Sequence, residues 1–195
     1  MVDYKLNSKP PLDGFILEAD GARLREINGF SLVSIAAFHQ GEGALKSAVK
    51  STLGINLPMP GFSSRSEARP DMTLMSVGRD QWFVRFLENE RSSVEWIAGK
   101  VGHCAAITDQ SDSWVQIELS GFAARMSLER VLPVDTDPLA FPERAVSRTV
   151  LEHLSVIIIR QSNDADGADC FLLLSPRSSA KSFLHALTGS PPFRL

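Results

Sequence analysis

The chain has 195 residues, of which 44% are hydrophobic and 22% charged, the composition of a globular protein that buries a core without disulfide staples. Its 20 Lys and Arg stand against 23 Asp and Glu, and they form no basic stripe, which excludes the phosphate-gripping surface of a nucleic-acid binder. The most apolar runs, 156–159 and 171–174, are far shorter than the roughly 20 residues that span a bilayer. Residues 1–5 show no basic segment leading into an apolar one, so no secretory signal is read and a cytoplasmic protein is expected. The two cysteines, Cys104 and Cys170, are too few for a disulfide framework and too scattered for a zinc cluster. Both sit beside apolar residues and read as buried free thiols.

In chain order, residues 1–17 are polar and proline-containing and are expected to form an extended arm. Residues 30–38 read as a strand. After the Gly41-Glu42-Gly43 turn, Leu45, Ala48, Val49 and Leu53 recur at helical spacing, and Gly54 is placed to end the helix. Residues 57–70 are rich in Pro, Gly and Ser and read as a loop. Strands are expected at 73–77 and 82–87, joined by a hairpin turn over 78–81. Val94, Ile97, Ala98 and Val101 then mark a second amphipathic helix, followed by a strand over 103–108.

The second half opens on residues 114–119, where Val115, Ile117 and Leu119 alternate with Gln116, Glu118 and Ser120 as in a half-buried strand. A helix follows on the face Ala124, Leu128, Val131, with Ser120 as its expected cap and Pro133 as its stop. Residues 138–143 read as a loop, and strands are expected at 145–151, 156–160 and 170–174. Ala180, Phe183, Leu184 and Leu187 form a last helical stripe. The order of elements repeats. We therefore expect an α+β fold of two split β-α-β (ferredoxin-like) units, about 28–108 and 113–190, within one domain over 18–195.

No residue pattern carries a catalytic signature. His39, His103, His153 and His185 are isolated and make no paired metal-ligand motif. Gly41-Glu42-Gly43 lacks the Lys-Ser/Thr of a phosphate loop. Ser120-Gly121 lacks the flanking glycine of a nucleophile elbow. Asp135 and Asp137 sit in an ordinary Asp-Thr-Asp-Pro turn. No catalytic, cofactor-binding or metal-binding residue is assigned.

Several segments, taken in order, resemble the gamma subunits of heterotetrameric sarcosine oxidases. They are Asp109-Gln110-Ser111, 115–119, Ser120-Gly121, Ala123-Ala124-Arg125, Leu132-Pro133-Val134-Asp135, Phe141-Pro142, Arg148-Thr149 and Pro176-Arg177-Ser178-Ser179-Ala180. Gly78-Arg79-Asp80-Gln81-Trp82 looks like that family's first hairpin, so the resemblance runs over about 74–187. It implies the fold of the folate-binding module of glycine cleavage T-protein. It also implies a complex that converts sarcosine to glycine, hydrogen peroxide and, with tetrahydrofolate, methylene-tetrahydrofolate. By the same resemblance FAD, FMN and NAD belong to the alpha and beta subunits, zinc to delta, and no cofactor to gamma. T-proteins carry Gly-Gly-Ile and then acidic residues where this chain reads Thr149-Val150-Leu151-Glu152-His153-Leu154. The glycines and the catalytic aspartate are missing, and Glu152-His153 does not replace them.

The expectation is a non-catalytic structural subunit that meets alpha, beta and delta partners. The alternative is a stand-alone folate-binding one-carbon transferase or folate-dependent regulator. Arg125, Arg148 and Arg177 are interface candidates, because arginine forks suit interfacial ion pairs, and internal ion pairs are the competing reading. Trp82 and Phe62, with Trp96 and Trp114, are candidate anchors, and core placement is the competing reading for the tryptophans.

Overall fold

A computed structural model describes residues 9–67, 69–87 and 92–194. The elements run β1 (Ile16–Ala19), β2 (Ala22–Ile27), β3 (Ser31–Ala37), α1 (Glu42–Leu53), β4 (Ser63–Arg65), β5 (Met72–Gly78), β6 (Gln81–Phe86), α2 (Ser93–Val101) and β7 (Ala105–Asp109). They continue with β8 (Trp114–Ser120), α3 (Ala124–Glu129), β9 (Val146–Leu151), β10 (Leu154–Arg160), β11 (Cys170–Pro176) and α4 (Ala180–Thr188).

The strands form two antiparallel sheets. One has the order β4-β5-β6-β3-β7, and the other β1-β2-β8-β11-β10-β9. Each sheet carries two helices on its outer face. On the first, Leu45, Ala48, Val49 and Leu53 of α1 and Ile97 and Val101 of α2 pack on Val33, Ile35, Leu74, Val84 and Phe86. On the second, Ala124 and Leu128 of α3 and Ala180, Phe183 and Leu187 of α4 pack on Leu24, Val115, Ile117, Val156, Ile158 and Leu173. The inner faces of the sheets meet through Leu32, Met75, Val77, Phe83, Ile157, Ile159, Leu172 and Leu174. The layers are therefore helix, sheet, sheet, helix, and the expected pair of split β-α-β units is present.

Local chemistry explains the end of α1. Gly54 ends α1 with φ +66°, a left-handed conformation that costs glycine nothing. Residues 61–63 and 144–146 stitch the two sheets along one side, where Ser63 N–H donates to Arg144 O at 2.8 Å and Val146 N–H to Gly61 O at 2.7 Å.

Four expectations are corrected. Within the stretch expected to be an extended arm, residues 1–8 lie outside the described residues, and 9–17 are folded. Leu12, Phe15 and Leu17 pack on the second sheet's core, and β1 pairs with β2. The Leu12 and Gly14 N–H groups donate to the carboxylate of buried Glu26, at 2.9 and 2.7 Å. The loop expected over 57–70 contains β4, which pairs with β5. Ser120 ends β8 and caps nothing. The N-cap position of α3 is Ala123, which makes no side-chain capping bond. Finally, β8 is covered on both faces. Gln116 points at the other sheet and is fully buried, so its alternation reflects two kinds of interior, one apolar and one polar.

The two units close differently. In the first sheet β7, which follows α2, pairs with the free side of β3. In the second sheet the matching place beside β8 is taken by β2, from the other end of the chain. Gly121 marks that joint. Its φ is +116°, and a Cβ there would stand 2.2 Å from Gly21 O.

Candidate functional site

The most chemically distinctive region is the polar layer where the sheets meet. Arg85 on β6 and Gln116 on β8 are both buried, and Arg85 Nε donates to Gln116 Oε1 at 2.7 Å. This bond links the two sheets through side chains. Beside it Arg25 Nη2 donates to Glu118 Oε1 at 2.7 Å. Burial pushes the Arg85 guanidinium down to about 10, nearby Glu118 opposes the fall, and Arg65 adds to it. Arg85 is still a cation at neutral pH. Among the described residues no carboxylate lies within 4 Å of it.

At the mouth of this layer is a cavity of about 110 Å³. Arg65, Arg85, Arg144 and Arg160 line it, with Glu143 the one carboxylate. Arg160 ends β10 and is buried, but it is well partnered. It donates to Thr136 O at 3.1 Å, pairs with Asp169, and stacks on Phe171 with 5.3 Å to the ring centroid.

A groove of about 420 Å³ lies between residues 152–154 and α4, and two wider ones also lie outside this layer. One, of about 820 Å³, runs along β1, β2 and residues 161–170 and is lined by Glu18, Asp20, Glu118, Asp164 and Asp166 against Arg23 and Arg65. The other, of about 480 Å³, lies between the turn at residues 9–11 and Trp114, with Asp112 and Arg177 on its walls.

The interface candidates do not converge. Arg125, on α3, pairs with Asp137 at 3.2 Å and is about two-fifths exposed. Arg148 is exposed on β9, the outer strand of the second sheet. Arg177 donates to Lys9 O at 2.7 Å and lies 3.9 Å from Asp112. Phe62 is exposed at the stitch between the sheets, opposite Ala145. Trp82 is interior: it is 3% exposed, and its indole N–H donates to Pro58 O at 3.1 Å. Trp114 stands edge-on to Phe83, with 5.5 Å between ring centroids. Trp96 lies under the Arg69 guanidinium, 4.9 Å from its ring centroid. Around Arg125 three apolar side chains are exposed, Phe122, Met126 and Leu139, and Asp137 also accepts the Leu139 N–H at 3.0 Å. Among the described residues no three His, Cys, Asp or Glu side chains are grouped to hold a metal ion. No helix there is long and apolar enough to cross a membrane.

The sequence reading assigned no role to Arg85, Gln116 or Arg160. A signal was present. Trp82-Phe83-Val84-Arg85-Phe86 and Ile157-Ile158-Ile159-Arg160 each put one cation into an apolar strand, where only a covered polar pocket accommodates it.

Cys104 and Cys170 are both buried thiols, as expected. Burial raises both, and Cys170, also near Glu118 and Asp164, is pushed up to about 12. The thiolate is the nucleophile. Cys170 is therefore expected to stay unreactive toward Ellman's reagent at pH 8 in native buffer and to react within seconds in guanidinium. Rapid native labelling at Cys170 would contradict this placement.

Two stacked antiparallel sheets with helices outside, built from two split β-α-β units, define the T-protein-like class of folds. Among solved structures, the chain superposes on a chain of the heterotetrameric sarcosine oxidase from Corynebacterium sp. U-96 in complex with pyrrole 2-carboxylate. The TM-score is 0.73 at 19% identity, over 92% of this chain and 92% of that one. It also superposes on the glycine cleavage system aminomethyltransferase T from Bartonella henselae, with TM-score 0.62 at 16% identity. That match takes in 88% of this chain and 46% of the aminomethyltransferase, so the chain spans about half of that protein's length. No protein-family model matches the sequence, and no curated protein does. These likenesses establish the fold.

The fold raises the question of tetrahydrofolate, and neither the cavity between the sheets nor the 820 Å³ groove fits it. The cavity between the sheets holds about 110 Å³, well under the roughly 300 Å³ at which pockets for molecules of that size begin. The 820 Å³ groove is wide enough, but five carboxylates line it and would repel the anionic glutamate tail.

Proposed function

We propose that this chain is a gamma-type, non-catalytic subunit of a heterotetrameric sarcosine oxidase. The observation that supports this reading is the mutual 92% coverage with a chain of such a complex. A free-standing aminomethyltransferase of this fold is about twice as long. In this reading the chain takes part in the conversion of sarcosine to glycine, peroxide and methylene-tetrahydrofolate by holding the assembly together in the cytoplasm. FAD, FMN and NAD belong to alpha and beta partners, zinc to delta, and tetrahydrofolate is a co-substrate of the whole. The exposed Phe122, Met126 and Leu139 around the Arg125–Asp137 pair supply an apolar centre with a charged edge, the composition of a protein–protein contact.

Co-expression with alpha, beta and delta subunits tests the reading. One complex holding all four chains in equal amounts is expected, with sarcosine-dependent peroxide release that falls when this chain is omitted. A chain that elutes alone at 21.3 kDa beside a fully active oxidase would overturn it. Tight tetrahydrofolate binding by the isolated chain in calorimetry would favour the transferase or regulator instead.

Arg125→Ala separates folding from assembly. Its exposed ion pair is worth about 0–1 kcal/mol to the fold. The variant is expected to melt within a few degrees of the parent and to bind the partner subunits at least tenfold more weakly. Unchanged assembly would remove Arg125 from the interface.

A further inference from the structure

We propose that the cavity between the sheets binds one small oxyanion, a monocarboxylate or a tetrahedral ion such as sulfate or phosphate, held by Arg65, Arg85 and Arg144 with Arg160 behind them. The proposal goes beyond the subunit reading, and either can fail without the other.

Arg85 carries the argument. Its side chain is 94% removed from solvent, since the residue is 6% exposed. A guanidinium offers five N–H donors. Among the described residues this one makes a single hydrogen bond, from Nε to the neutral Gln116 amide oxygen. Its Nη groups have no carboxylate within reach, yet a buried cation needs a counter-charge. Arg160, at the cavity's edge, shows the contrast: its side chain turns to the helix-covered face of the second sheet beside Phe171, where Asp169 and the Thr136 carbonyl meet its equally buried charge.

The surroundings add charge of the same sign. Arg65 Nε is fixed by Pro70 O at 2.9 Å, which leaves its Nη groups for the cavity. Arg144 reaches the cavity from the opposite sheet. The one lining carboxylate, Glu143, is turned toward Ser162, whose hydroxyl donates to it at 2.7 Å, and it stands 3.9 Å from Arg144 Nε. Like-charged guanidiniums around a shared space repel one another unless an anion sits between them, and the planar fork of arginine matches carboxylate and phosphate oxygens two at a time. Size narrows the class. A volume of about 110 Å³ equals the liquid share of about four waters, room for acetate or sulfate and too little for a nucleotide. Met75, Leu87, Ile159 and Leu172 form the apolar wall, which strengthens charge pairing by excluding water.

The test uses the full chain and four sodium salts: formate, acetate, phosphate and sulfate. Each is compared with sodium chloride at equal ionic strength, by calorimetry and by thermal melting. At least one ion is expected to bind in the millimolar range or tighter and to raise the melting midpoint above the chloride control. Carboxylates and tetrahedral ions are thereby told apart. The R65A/R144A double variant changes two exposed side chains and should bind at least tenfold more weakly. Glu143→Gln keeps the acceptor for Ser162 and removes the negative charge, so it should bind a few-fold more tightly. The proposal is overturned if none of the four ions differs from chloride. It is equally overturned if R65A/R144A binds like the parent, or if Glu143→Gln does not tighten binding.

Discussion

Replacing Gly121 by alanine is expected to lower the stability of the fold by about 3–5 kcal/mol, the sum of backbone strain and overpacking costs. Gly121 leaves β8 with φ +116°, outside the range that a residue with a side chain adopts readily. The new Cβ would sit 2.2 Å from Gly21 O and 3.0 Å from Ala22 Cα, both backbone atoms. Neither yields easily, because Gly21 O already accepts the Ala123 N–H at 3.0 Å and Ala22 is the first residue of β2. Urea denaturation would show the loss as a lower midpoint at an unchanged slope. A loss below about 1 kcal/mol would mean that the β2–β8 joint gives way cheaply. Gly99→Ala makes the control. That glycine lies inside α2 with nothing near its missing Cβ, and alanine there should add about 0.4–1 kcal/mol.

The second large effect is expected at Phe183. This ring is fully buried on α4 and packs among the residues of the second sheet and α3. Phe183→Ala removes that contact and leaves a cavity, at a cost of about 3–5 kcal/mol. Phe122→Ala, by contrast, removes a ring that is 75% exposed and should change stability by less than about 0.5 kcal/mol. If the two cost the same in thermal melts, α4 does not hold the second sheet in the way described.

Much of this architecture was legible because burial follows period. Leu45, Ala48, Val49 and Leu53 at helical spacing, and the alternation from Val115 to Leu119, were enough to place α1 and β8. What escaped has physical reasons. The N-terminal turn reads as polar because what holds it is its own Leu12 and Gly14 N–H groups donating to Glu26, a carboxylate 14 and 12 residues away. β4 is three residues long and exists only because β5 and the 144–146 stretch receive it. Ser120 looked like a cap because residue type alone cannot show that the chain needs three more residues to turn out of β8. At the candidate site the difficulty was different. Arg85 and Arg160 stand out as lone cations in apolar strands, but only the packed fold shows where each charge goes: Arg85 faces the other sheet, and Arg160 faces the helix-covered side with Phe171 and Asp169.

The placement of β2 also orders events while the chain is being made. The first sheet draws all of its strands from residues 63–109 and 31–37, so it can close as soon as β7 has left the ribosome. The β1–β2 hairpin is made before the strands of either sheet that follow it, yet its neighbour β8 begins almost 90 residues later, at Trp114. Throughout that interval one edge of the hairpin stands open, and an open strand edge recruits other strands. A fragment that starts after Ile27 would carry the same defect permanently, with β8 bare along the side that β2 covers. The free side of β2 thus waits until the whole first sheet has been made before it finds its partner.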